Sequence, residues 1–256
     1  MSTSEKVIVR IEDGVMTVVI NRPELRNAID REVSYAVCAA MDELDHRADL
    51  RVGVLTGAGG TFCSGMDLAE FARGAQIRVK GRGLMGMAFT PPEKPVIAAV
   101  EGYAVGGGFE ATMACDLIVA ARNAQFGLPE VKRGLAAAGG GLIRLPRRIP
   151  QNIAMEMALT GDLMSAEKLH SHGLVNRLVE PGTALDEALT LARTIASNAP
   201  MSVAASKKVI LRQGDWLTVE MFDSQEAITR PVLDSADARE GAMAFKEKRV
   251  ANWSGE

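Results

Sequence analysis

"PVIAAVEGYAVGGGFEATMACDLIVAA", residues 95–121, fixes the architecture more firmly than any other stretch. An apolar run of strand type (95–102) passes through glycines 106–108 into a segment able to begin a helix. A second strand-type run, "DLIVAA" (116–121), then follows. Continuous apolar runs suit strands covered on both faces, and strands alternating with helices favour parallel pairing. Upstream, "RVGVLTG" (51–57) is a third run of the same type, so an α/β class is expected.

Further out, "VIVRIEDGVMTVVINRP" reads as two strands joined by a turn at Asp13-Gly14. Ile29, Val33, Ala36, Val37, Ala40, Met41 and Leu44 then recur at helical spacing, with Asp30 placed to cap the helix. Residues 73–95 break the pattern with Gly, Pro and basic residues; a mobile segment is expected there, with Arg73, Arg78, Lys80 and Arg82 on a solvated face. Beyond about residue 183 strand signals cease and helical periodicity continues, punctuated by "NAP" (198–200) and "TRP" (229–231). The expected division is an α/β core over 1–197 and a helical part over 198–256.

The composition narrows the function classes. The chain has 256 residues, 47% of them hydrophobic, and a net charge of −3, which gives no reason to expect a nucleic-acid or anionic-membrane partner. Cys38, Cys63 and Cys115 are scattered and odd in number, with no CxxC pair and no His-x3–5-His spacing, so neither a disulfide framework nor a metal site is indicated. The opening "MSTSEKVIVRIEDG" lacks the basic-then-apolar pattern of a leader, and no run of about 18 apolar residues occurs; a cytoplasmic protein is expected.

Four segments carry chemistry: "NRPELRNA" (21–28), "GGTFCSGMDL" (59–68), "GYAVGGGFE" (102–110) and "AQFGLPEVKRGLAAAGGG" (124–141). Two of them follow strands and hold glycine where a helix could begin. A helix start offers unpaired N–H groups, and glycine lets a ligand approach that backbone closely. Two such starts facing one another would form an oxyanion hole. Taken alone, each glycine reads as a tight turn, Glu110 as a capping or salt-bridging acid, and Glu130 as an exposed acid pairing with Lys132 or Arg133.

Together "NRPELRNA", "FCSGMDL", "GYAVGGGFEATMACD" and "FGLPEV" resemble the signature segments of the enoyl-CoA hydratase (crotonase) family, collinear from residue 7 to "REGAMAFKEKR" (239–249). The resemblance implies a core of repeated ββα turns forming a superhelix, followed by C-terminal helices that mediate trimers, which can pair into hexamers. It implies an acyl-CoA thioester substrate, no metal and no redox cofactor, with coenzyme A entering only as part of the substrate. The implied oxyanion donors are the amides of Met66 and Gly107. Glu130 is implied to exchange a proton with the substrate α-carbon, and Glu110 to position and deprotonate water. Two close carboxylates in a poorly solvated pocket should push at least one pKa upward.

The resemblance also points to substrate-binding residues: Arg26 and Ala28 in the first loop, Ser64, Gly65, Asp67 and Leu68 around the first donor, and Gly106 beside the second. Phe245 and Lys248 are implied at the mouth of the site. Ala138 stands where relatives often carry a glycine whose N–H contacts the water. Met85, Met87 and Phe89 suit an acyl pocket or ordinary core packing. Two acids favour water addition over double-bond isomerisation, which can work with one. Some relatives bind RNA through a lysine-rich helix; residues 29–48 hold five acids and no lysine, so that footprint is missing.

Overall fold

The structure, a computed structural model, describes residues 6–256. The beginning of the leader reading and of the 1–197 range lies outside the described residues.

The hairpin forms as the sequence predicts. β1 (Val7–Glu12) and β2 (Val15–Ile20) pair antiparallel with Glu12 opposite Val15. Asp13 and Gly14 take φ of 49° and 75°, the two left-handed positions of a turn whose twist matches its strands. α1 (Arg31–His46) starts where Asp30 accepts the Val33 N–H at 2.8 Å, and it buries Val33, Val37, Met41 and Leu44 along one stripe.

The chain then runs through β3 (Val52–Gly57), α2 (Leu68–Ala72), β4 (Val96–Val100), β5 (Tyr103–Val105), α3 (Gly107–Ala114), β6 (Leu117–Ala121) and β7 (Gln125–Gly127). A 3-10 turn at Pro129–Arg133 leads to α4 (Gly141–Arg148), α5 (Gln151–Thr160), β8 (Met164–Ser165), α6 (Ala166–Ser171), β9 (Arg177–Val179) and α7 (Ala184–Ala196). Among the described residues β1-β2-β3-β4-β6-β9 form one sheet, parallel beyond the hairpin, and β5, β7 and β8 form a smaller one.

Successive turns of the chain place one strand in each sheet and then a helical segment: β4, β5, α3, then β6, β7 and the 129–133 turn. A lone parallel bridge between Cys63 and Ala104 extends the second layer back to the preceding turn. This is the ββα superhelix of a crotonase-type fold.

Strand alternation divides the core in two. Val54, Ile97 and Val119 face α7, whose Ala184, Ala188 and Ala192 recur every fourth residue and let the helix lie close on the sheet. Their neighbours Leu55, Ala98 and Ile118 face the larger core, where Phe109 and Phe126 meet edge-to-face at 5.4 Å.

Residues 73–95 differ from expectation. The segment is packed, with Ile77, Leu84, Met85, Met87 and Ala88 buried. The Met85 amide donates to Ser34 Oγ at 3.2 Å, and Arg82, expected in solvent, binds Asp42 Oδ1 at 2.6 Å and the Gly86 carbonyl at 2.9 Å. Met85 and Met87 are therefore core residues against α1, whereas Phe89 is exposed.

The last residues form α8 (Pro200–Arg212), α9 (Met221–Leu233) and α10 (Ala236–Glu247). The tail folds back: buried Asp237 accepts the Ser254 and Gly255 amides, and Trp253 Nε1 donates to the Ser197 carbonyl. Large apolar side chains nevertheless stand in solvent on these helices and their connections, among them Val219, Phe222 and Phe245. Among the described residues no helix is long and apolar enough to cross a membrane.

Candidate active site

The first loop is built around two buried polar residues that pattern reading passed over. Asn27, in the left-handed region at φ 56°, accepts the Arg22 amide and donates to the Ala58 and Thr61 carbonyls at 2.9 and 2.6 Å. The Arg22 guanidinium binds the Ala28 carbonyl at 2.5 Å and the carboxylates of Asp30 and Asp67, both at 3.3 Å. Neither carries a local signal, since Arg22 and Asn27 stand among other polar residues in "NRPELRNA". Asn27→Ala strands a buried amide and two half-buried carbonyls, at about 1–3 kcal/mol for the amide and less for each carbonyl. A fall of several kcal/mol in unfolding free energy is expected by urea titration.

This loop registers the first oxyanion candidate. Ile29 N–H binds the Gly65 carbonyl and Asp67 N–H binds the Ile29 carbonyl, forming a lone parallel bridge opposite Met66. A residue paired this way turns its own N–H away from its partner. Met66 is not in the first turn of α2, as the sequence suggests, but precedes its cap: Asp67 Oδ1 accepts from Ala69 and Glu70.

Gly107 is the first residue of α3, where an amide has no intrahelical acceptor. Among the described residues neither the Met66 nor the Gly107 amide donates to a protein acceptor. The two are neighbours. A Cβ built on Gly65 would lie 3.2 Å from Gly107 N, and one built on Gly107 would lie 3.6 Å from Met66 N. Gly65 has φ 96° and would also meet the Val105 carbonyl at 2.8 Å, so a side chain fits there neither conformationally nor sterically.

The two acids occupy opposite environments. Glu110, one turn into α3, is 3% exposed, and its Oε1 accepts the Gly139 and Gly141 amides at 2.7 and 3.0 Å. Burial raises its pKa; those two amides, with Arg78 and Arg144 nearby, pull back toward the charged form.

Glu130, in the 129–133 turn, is half-buried, and its Oε2 is buried without a hydrogen-bond partner. Burial, and then the Glu110 charge, push its pKa up to about 7. Lys132, two positions on, is paired with Asp162 at 2.5 Å. A Cβ on Gly106 would lie 3.2 Å from Glu130 Oε1, so this carboxyl stands beside the start of α3 that carries the Gly107 amide. One carboxyl held by two amides of another loop and a second with one oxygen buried without a partner form the kind of unequal pair that separates a base from an acid.

The other expected binding residues are distributed unevenly. Ser64 N–H binds the Arg26 carbonyl at 3.0 Å, so Arg26, Ala28, Ser64, Gly65 and Asp67 are brought together, with the Arg26 side chain exposed and Leu68 exposed at the start of α2. Asp67 is engaged within the chain, as cap and as partner of Arg22. Ala138 is exposed, and the residues of its loop that touch Glu110 are Gly139 and Gly141. Phe245 is 88% exposed near the end of α10, and Lys248 caps that helix at φ 56°. Cys63 is buried with its thiol pushed up to about 12 by desolvation, the state of a packing residue rather than a nucleophile.

Beside Glu130 a cavity of about 400 Å³ opens between the 129–133 turn, α4 and α5, with largely apolar walls.

Comparison with known proteins identifies the family. The profile described as enoyl-CoA hydratase/isomerase matches residues 10–256. The crystal structure of enoyl-CoA hydratase EchA1 from Mycobacterium marinum superposes with a TM-score of 0.97 at 54% identity, covering 99% of this chain and 100% of that one. The mevalonyl-coenzyme A hydratase of Aspergillus fumigatus is 38% identical over 93% of this chain and 91% of its own length. The (E)-benzylidenesuccinyl-CoA hydratase of Thauera aromatica is 38% identical over 97% and 99%. With the profile spanning nearly the whole chain and identity at this level over whole relatives, the chain belongs to the enoyl-CoA hydratase/isomerase family.

Proposed function

We propose that this protein is an enoyl-CoA hydratase, adding water reversibly across the double bond of a 2-enoyl-CoA thioester to give a 3-hydroxyacyl-CoA. The observation that carries the proposal is a pair of carboxyls, one buried and one half-buried, in unequal environments next to two unpartnered amides. A single acid suffices to shuttle a proton in isomerisation. A second, whose oxygen accepts two amides that favour its charged form against burial, supplies the base that water addition requires.

In this reading the thioester oxygen accepts from Met66 N–H and Gly107 N–H. Water loses a proton to Glu110 as its oxygen bonds to the β-carbon. Charge moves onto the thioester oxygen, where fixed donors stabilise it without reorganising, each worth about 2.7–4 kcal/mol of barrier. Glu130 then gives its proton to the α-carbon, and a proton passed from Glu110 to Glu130 closes the cycle. The residues themselves perform every step, and we assign no metal or redox cofactor; coenzyme A arrives with the substrate.

Arg26, Ala28, Ser64, Gly65, Asp67, Leu68 and Gly106 frame the thioester and nucleotide. We assign residues 1–197 to the catalytic core and 198–256 to oligomerisation, as a trimer or a pair of trimers. The exposed apolar side chains of the last three helices support this assignment. Phe245 and Lys248 would then reach a site only across that assembly. A cytoplasmic location completes the proposal, with no nucleic-acid or membrane partner.

The two acids share one proton through the cycle, so both directions need the same singly protonated pair. Water addition leaves the proton count unchanged, and the equilibrium between the two esters therefore does not vary with pH. For hydration of the 2-enoyl-CoA and for dehydration of the 3-hydroxyacyl-CoA alike, kcat/KM should fall as pH rises through about 7, where the pair loses that proton. Parallel profiles are expected when both directions are followed across pH 5–9.

The proposal is tested by following the ultraviolet absorbance of the conjugated thioester with a panel of 2-enoyl- and 3-enoyl-CoA esters. Loss of absorbance with 2-enoyl esters is expected. Gain of absorbance with 3-enoyl esters, without hydration of 2-enoyl ones, would make the protein an isomerase instead.

A further inference from the structure

The cavity beside Glu130 has walls that the proposed chemistry does not use. Its volume of about 400 Å³ falls within the range of small-molecule sites. Leu128, Leu142, Leu145, Ala154, Met155 and Ala158 supply apolar surface from three separate elements. Alanines keep the α5 side open: Ala154 and Ala158 lie one helical turn apart and face the same space. The polar side chains on the lining are Glu130 itself and Gln151.

Glu130 connects this space to the chemistry. It lines the cavity, one of its oxygens is buried without a partner, and its other oxygen is next to Gly106 at the start of α3. On the proposed hydratase function, on which this inference rests, Glu130 faces the α-carbon. The acyl group begins at that carbon and must continue into whatever space adjoins the acid.

From this we infer that the cavity between the 129–133 turn, α4 and α5 receives the acyl group, and that it selects uncharged, apolar acyl groups extending well beyond the β-carbon. The walls give the reason. A long apolar acyl chain leaves water for apolar surface, a gain proportional to the area covered. An acyl group ending in a carboxylate would meet no cation on that lining and would stand near Glu130, a charge buried without compensation. Ala158 sets the depth, because it is only half-buried, unlike Ala154, and its methyl leaves that part of the α5 wall open.

The test compares crotonyl-CoA, dodecenoyl-CoA and glutaconyl-CoA, which carries a terminal carboxylate, as substrates of the full-length protein and of Ala158→Phe. The readout is the ratio of kcat/KM for dodecenoyl-CoA to that for crotonyl-CoA, which a general loss of folded protein does not change. A ratio above one in the unaltered protein, reduced tenfold or more by Ala158→Phe and also reduced by Ala154→Leu, is expected, with glutaconyl-CoA slower than crotonyl-CoA. A ratio unmoved by both variants, or glutaconyl-CoA as the best of the three, would overturn the inference. A change in sedimentation with an unmoved ratio would overturn it too, assigning this surface to a second copy of the chain.

Calorimetric binding of lauroyl-CoA and acetyl-CoA separates this inference from the hydratase reading. If no 2-enoyl ester is hydrated, yet lauroyl-CoA binds at least tenfold tighter than acetyl-CoA and Ala158→Phe removes the difference, the reaction is wrong and the cavity stands. If crotonyl-CoA is hydrated and both saturated esters bind alike in both proteins, the cavity is wrong and the reaction stands.

Discussion

Glu130→Gln is expected to lower kcat for hydration by about 10²–10⁴-fold, the usual contribution of a positioned acid or base, while saturated acyl-CoA esters continue to bind. Glutamine keeps the shape of the side chain and cannot give the α-carbon a proton. Glu110→Gln should fail at the other end of the reaction by a similar factor, because the amide cannot take a proton from water. Its oxygen can still accept the Gly139 and Gly141 amides, so the loop keeps its support. Turnover by ultraviolet absorbance and binding by calorimetry together check this. Full activity in either variant removes that residue from the mechanism.

The two variants should also part in stability. Glu130 has a folded pKa near 7 against an ordinary value of 4.5, so the folded state holds its proton more tightly than the unfolded chain does. Its contribution to stability is therefore fullest below about pH 4.5 and declines as pH rises toward 7. Glutamine is not subject to that decline, so Glu130→Gln should melt higher than the unaltered protein at pH 8 and show no such advantage at pH 4.

The second large effect is expected at Gly107. In Gly107→Ala the backbone need not change, since Gly107 is not among the residues with positive φ. The new methyl displaces the Leu84 side-chain end, a flexible neighbour, and stands 3.6 Å from Met66 N, in the space where the thioester oxygen would accept. Loss of about one donor corresponds to 10²–10³ in kcat, with little change in melting temperature. Gly65→Ala is the contrasting variant. There φ is 96° and the Val105 carbonyl is 2.8 Å from the added carbon, so folding itself should suffer.

Much of this was legible locally. The Asp13-Gly14 turn, the Asp30 cap and the α1 stripe depend on neighbours a few residues apart, and pattern alone carries them. The motif resemblance brought Glu110, Glu130, Met66 and Gly107 into consideration, and the fold sets them side by side.

What sequence hid is what long-range contacts build. Composition made residues 73–95 look mobile, but Ile77, Leu84, Met85 and Met87 are spaced irregularly along the loop and converge only when it folds against α1. Arg22 and Asn27 look like ordinary loop polars until Ala58, Thr61 and Asp67, more than thirty residues away, arrive as partners. The amides holding Glu110 belong to Gly139 and Gly141, a detail that the run "AAAGGG" cannot reveal, because side-chain identity says nothing about which N–H points inward. The cavity, drawn from three elements, has no signature at all.

Infrared spectroscopy of a 2-enoyl-CoA carrying carbon-13 at its thioester carbonyl, bound to Glu130→Gln so that it does not turn over, bears most directly on the convergence of the Met66 and Gly107 amides. The carbonyl band should lie at lower wavenumber than in the free ester, and addition of Gly107→Ala should return most of that displacement. A bound ester whose carbonyl absorbs where the free one does, with or without Gly107→Ala, would mean that these amides do not polarise the substrate.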